Sequence, residues 1–127
     1  MLDIPISSYR DLKVWQEAMV IAEDAYRLTS LFPRDEIYGI TSQIRRAAVS
    51  VAANIAEGHG RESSGSFIQF LRISQGSLKE LETLMVLAVR VGLAENDDVE
   101  LLMDRCDELG KMLRSLIRSV QRRDAEG

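Results

Sequence analysis

After Pro33 the chain contains no further proline. Proline is the residue that most directly breaks the helical hydrogen-bond ladder, so a stretch this long without one favours long helices. Apolar residues at three- and four-residue spacing run through it. The cleanest repeat comes last: Val99, Leu102, Cys106, Leu109, Leu113, Leu116 and Val120 alternate steps of three and four, which predicts a coiled-coil-like helix over 97–122. Strand signals are missing, since no period-two alternation is sustained and no Asn-Gly or Asp-Gly hairpin turn occurs.

Three further helices are expected upstream. Residues 1–8 read as a loose lead-in, with Ser7 or Ser8 capping a first helix over 9–30 and Asp11 in its first turn. Leu12, Trp15, Met19, Ala22 and Tyr26 form its expected core seam. Val14, Ala18, Ile21, Ala25 and Leu28 form a second seam, so this helix is expected to touch neighbours on two sides. Pro33 suits the start of a second helix over 34–57, with Asp35 and Glu36 at its positive end. Gly39 inside that helix would cost about 1 kcal/mol against alanine and so calls for a packing reason. Ile40, Ile44, Ala47, Ala48, Val51 and Ile55 make its core face, and Gly58 and Gly60 are read as a left-handed stop.

Ser63 or Ser64 can cap a third helix over 64–91, with Phe67, Phe70, Leu71, Ser74, Leu78, Leu81, Met85 and Ala88 inward. Ser74, Gly76 and Ser77 suggest a close helix crossing. Gly92 is placed to end this helix, Asn96 or Asp97 to cap the fourth, and 124–127 to fray. Four amphipathic helices with short connections predict an all-α, up-down-up-down antiparallel four-helix bundle, a single domain over 1–127.

Within one domain of 127 residues there is a single cysteine, Cys106, so no internal disulfide can form and a reducing compartment is expected. Residues 1–6 lack the charged and apolar regions of a signal peptide, and no apolar run approaches the ~20 residues of a membrane span. A cytoplasmic protein without a membrane partner is the expectation. The net charge of −4 argues against indiscriminate nucleic-acid binding. The charge is unevenly placed, however: 95–108 holds seven acids and one base, whereas 109–123 holds five bases and no acid.

Catalytic chemistry finds little to work with. One histidine, His59, and one cysteine on different elements cannot make a structural zinc site, and no Glu-x-x-His pair suggests a di-iron bundle. There is no nucleophile elbow and no phosphate-binding glycine loop, so no enzyme, metal or cofactor is expected. Two polar files remain. Arg46, Ser50, Asn54 and Glu57 share one side of the second helix; they read either as a structural network or as a partner site, the two end charges being too far apart to pair with each other. Glu80 and Glu82 are candidate partners for Arg45 or Arg46. Lys111, Arg114, Arg118 and Arg122 share one face of the fourth helix. They either complement the helix dipole or form a stripe that tracks phosphates.

Several ordered motifs carry a family resemblance. They are Leu12-x-x-Trp15-Gln16-x-Ala18, Phe32-Pro33-x-x-Glu36-x-Tyr38-Gly39, Gln43-x-Arg45-Arg46-Ala47, Ser50-x-x-x-Asn54-x-Ala56-Glu57-Gly58, Arg61, Phe67, Phe70-Leu71 and Gly76-Ser77-x-x-Glu80-x-Glu82. Over about residues 9–93 the chain resembles the bacterial four-helix-bundle proteins of 23S ribosomal RNA intervening sequences. That family extends to the accessory variability protein of diversity-generating retroelements. The resemblance implies a ring-like homopentamer without enzymatic activity. In the retroelement members it also implies partners: RNA or DNA, and a reverse transcriptase. This chain departs from those strongly basic members in being acidic overall.

The leading expectation is therefore a non-catalytic oligomer that binds nucleic acid or assists nucleoprotein assembly. The candidate contacts are Arg45, Arg61, Lys111, Arg114, Arg118 and Arg122. The rival is a structural or protein-binding oligomer whose arginines are internal ties. Exposure of Arg114, Arg118 and Arg122 separates the two.

Overall fold

The computed structural model describes residues 8–126; the lead-in over 1–7, with Ser7 as a cap candidate, and Gly127 lie outside the described residues. Four helices follow one another: α1 (Lys13–Thr29), α2 (Ile40–His59), α3 (Ser64–Arg90) and α4 (Asn96–Glu126), with short 3-10 turns at Tyr9–Asp11 and Arg34–Glu36. Each helix packs on its neighbours in chain order, and α4 closes back on α1. The sense of packing can be read from residue contacts. Ser50 meets Ser77, Val51 meets Ser74, and Gly58 meets Phe70, so positions rise along α2 as they fall along α3. Asp24 likewise meets Arg105, and Leu78 lies over Gly110. The result is the expected antiparallel bundle around one continuous apolar core.

Two helix starts fall later than the periodicity predicts, each for a local reason. Ser8 does cap, but it caps the first 3-10 turn, accepting from the Arg10 N–H at 3.2 Å. Leu12 is then extended at φ −74°, ψ 126°, and α1 begins only at Lys13. After Pro33 a second 3-10 turn intervenes, so α2 begins at Ile40 rather than Arg34. Gly39 precedes this helix instead of interrupting it, which removes the expected penalty for a glycine in a helix interior.

Both seams of α1 reach the core: Val14, Ala18, Ile21, Ala25 and Leu28 of the second are buried, as are Leu12 and Ala22 of the first with Trp15 packed against the core, whereas Met19 and Tyr26 stay 37% and 47% exposed. The bundle surrounds α1 on only two sides, and the Trp15–Met19–Tyr26 line faces out over α2. On α4 the seam leaves the heptad near its end. Ile117 is buried and Leu116 only half-buried, because an untwisted helix turns slightly past a strict seven-residue repeat. The end expected to fray remains helical through Glu126.

The glycines take roles different from those expected. Gly60 has φ −73°, and Gly58 lies inside α2, so neither supplies a left-handed stop. A Cβ on Gly58 would stand 2.6 Å from the Phe70 Cβ, so α2 and α3 approach too closely here for any side chain. Of the three small residues expected at a crossing, Ser74 and Ser77 meet α2, Ser74 donating to the Val51 carbonyl at 2.8 Å and Ser77 bonding Ser50 at 2.8 Å, while Gly76 faces open space. Gly92 does adopt the left-handed conformation, at φ 83°. With Gly92 N–H on the Val89 carbonyl and Leu93 N–H on the Ala88 carbonyl, it closes α3 in a Schellman motif. Ser63 caps α3 through the Ser66 N–H, as one of the two candidates expected. For α4 neither Asn96 nor Asp97 does the capping; the Asp98 carboxylate accepts the Glu95 N–H at 2.8 Å. Among the described residues no helix is long and apolar enough to cross a membrane.

Candidate nucleic-acid interface

The arginine side chains fall into two classes that the sequence does not separate. Arg45 is half-buried and fixed. Its Nε donates to the Thr29 hydroxyl at 2.8 Å, Thr29 in turn donates to the Ala25 carbonyl, and the guanidinium lies 4.5 Å from the Tyr26 ring centroid. Arg61 pairs with Glu57 at 3.2 Å and stacks 5.0 Å above Phe70, where it covers the α2–α3 corner. Both therefore carry structural contacts of their own. No acid from another helix reaches Arg45 or Arg46 among the described residues, and Glu82 pairs instead with Lys79 at 3.2 Å.

The stripe on α4 is built differently. Lys111, Arg114, Arg118 and Arg122 are all exposed, on a helix whose inner face is fully used by the core. Lys111 lies 3.9 Å from Glu108 on its own helix, a spacing that contributes little in water. The Arg118 Nε reaches the Arg114 carbonyl at 3.5 Å, and Arg114, Arg118 and Arg122 have no acidic partner among the described residues. Their spacing of four residues repeats every ~6 Å along the axis, close to the distance between successive phosphates of an extended strand.

The polar file of α2 does not act as one unit. Its middle is a network: Ser50 and Ser77 share a hydrogen bond of 2.8 Å, and the Asn54 amide donates to both the carbonyl and the hydroxyl of Ser50. Its ends turn away. Arg46 is exposed and donates to Ser42 at 3.3 Å, and Glu57 goes to Arg61. Neither end charge is buried, so neither needs the partner on another helix that burial would demand.

The lone cysteine and the lone histidine lie in separate surroundings. Cys106 is fully buried, and burial together with the nearby Glu82 charge pushes its thiol up to about 12, so it stays protonated and inert. His59 meets the Phe67 ring edge-on at 5.9 Å. No group of metal-ligating side chains occurs among the described residues.

One surface escaped the sequence reading. Between α1 and α2 an open groove of about 590 Å³ is lined by Trp15, Met19, Tyr26, Val49, Ala53 and Ala56. Tyr9 closes one end, edge-to-face with Trp15 at 5.2 Å. The signal was present in Trp15, Met19 and Tyr26 of the first α1 seam, but that these three would stay open to solvent depended on the third dimension.

The sequence model of the 23S rRNA-intervening sequence protein family matches residues 10–115. The chain belongs to that family. The match takes in all of α1, α2 and α3 and stops inside α4, between Arg114 and Arg118. Among solved structures, this intervening-sequence family member is similar to a protein of unknown function from the S23 ribosomal protein family of Bacteroides thetaiotaomicron. The TM-score is 0.73 at 24% identity, over 82% of this chain and 97% of that one. At that identity the likeness speaks for the shared fold. No curated protein matches.

Proposed function

We propose that this family member is a non-catalytic, self-associating bundle that binds nucleic acid along α4. The observation that carries the reading is the stripe Arg114, Arg118, Arg122: exposed, evenly spaced and not neutralised by any acid among the described residues. A ring of five copies, as the family resemblance implies, would present the stripe five times and turn weak local attraction into useful avidity. That also answers the net charge of −4, since the acids gather in the first turns of α4 and the stripe lies in the last. The apolar α1–α2 groove supports self-association, because a monomer would leave it in water. A cytoplasmic setting accords with the lone, buried cysteine.

A titration against structured RNA and duplex DNA at two salt concentrations tests this, with Arg114→Glu/Arg118→Glu as control. Binding that weakens steeply with salt and is lost in the control is the expected result. No binding at low salt sinks the nucleic-acid reading and leaves the protein-binding oligomer. In that case acids of a neighbouring copy, such as Glu100 and Asp104, are the expected partners of the stripe.

A further inference from the structure

The start of α2 holds features that neither the core nor the α4 stripe explains. Thr41 is only 4% exposed, and its Oγ1 is the one buried hydroxyl among the described residues without a hydrogen-bond partner. A threonine at this point of a helix usually returns its hydroxyl to the carbonyl four residues back. Here that residue is Ile37, in the non-helical turn before α2. A buried polar group left alone is costly enough that it signals a partner.

Thr41 lines a cavity of about 390 Å³, together with Tyr26, Ser42, Arg45, Arg46 and Val49. The helix that opens there is 20 residues long, has no side-chain cap and carries no acid in its first turn, although the Glu36 carboxylate lies beside its N-cap residue Gly39. Arg45 uses only its Nε on Thr29, which leaves both Nη groups free while Thr29 and the Tyr26 ring hold the guanidinium in place. Arg46 donates to the Ser42 oxygen, so the Ser42 hydroxyl proton remains available to a further acceptor. Glu36, in the preceding turn, lies against Gly39 and bonds to neither arginine.

We infer that this cavity is a phosphate site, in which Arg45 and Arg46 hold the anion and the Ser42 and Thr41 hydroxyls complete its donors. Two guanidinium groups and two hydroxyls match the many acceptor oxygens of a phosphate group better than they match a planar carboxylate. The fixed Arg45 plane supplies the preorganised fork that a lysine could not. The site stands apart from the α4 stripe and does not depend on it. The phosphate belongs either to a small phosphorylated ligand or to a nucleic-acid backbone.

Titration of the full chain with inorganic phosphate, followed by backbone amide NMR shifts, tests the site. Saturable shifts at Thr41 and Ser42 that chloride at equal ionic strength does not reproduce are the expected result. Arg46→Ala, at an exposed position that folding does not need, should weaken phosphate at least tenfold. Thr41→Val should also weaken it, while leaving the phosphate-free protein no less stable. Displacement of phosphate by a short RNA oligomer assigns the site to nucleic acid, and retention assigns it to a small ligand. Shifts that chloride reproduces, or affinity unchanged in both variants, would overturn the site.

Discussion

Gly58 and Gly76 show how one residue type can carry opposite consequences. A methyl group at Gly58 would stand 2.6 Å from Phe70, whereas one at Gly76 would meet nothing within 4 Å. Gly58→Ala should therefore wedge α2 from α3 and cost about 1–3 kcal/mol, and Gly76→Ala should stabilise α3 by about 0.5–1 kcal/mol. Chemical denaturation of the pair checks both signs. Cys106 gives a second prediction. Its thiol is raised from 9.0 to about 12 in the folded state, so above pH 9 the unfolded chain releases a proton that the folded chain keeps. Stability should then fall with rising pH between those values, by about 1.4 kcal/mol per unit, and Cys106→Ala should lack this slope. Native protein should also resist alkylation at mildly alkaline pH until denaturant is added.

At the scale of the element, α4 tests the limit of a heptad reading. Ile117 is 4% exposed and Leu116 half-buried. Ile117→Ala should cost about 2–5 kcal/mol and Leu116→Ala clearly less, measured as the shift in denaturation midpoint. A strict repeat gives the reverse order. The helices themselves were legible because proline-free 3,4-spacing is a local property, and Cys106, Leu109 and Leu113 lie inward as their spacing requires. Their starts were not, because Leu12 and the turn after Pro33 bend the chain through backbone choices that apolar periodicity does not encode. Gly58 was misread for a related reason. Gly-x-Gly after a helix looks like a stop until Phe70, twelve residues on, is brought against it. The candidate site divided in the same way: the shared face of Arg114, Arg118 and Arg122 was legible from their spacing, whereas their exposure was left open there, and the Thr29 and Tyr26 partners of Arg45 come from another helix and left no local mark.

For the whole molecule, the groove between α1 and α2 is the feature a monomer leaves unfinished. Val49 lines it and is 45% exposed, so Val49→Glu should leave the fold of a single copy intact while placing a charge where a second copy would pack. Native mass measurement should show the variant dissociated and the parent associated; equal masses would remove the groove from any account of assembly. The closure of α4 on α1 has another consequence. It brings the beginning of α1 and the end of α4 to the same end of the bundle, so the four helices form a cycle in space although the chain is a line. Covalent order is then only one way of threading that cycle: a chain opened in the α2–α3 loop at Glu62, with its old ends joined by a flexible linker, could reach the same contacts.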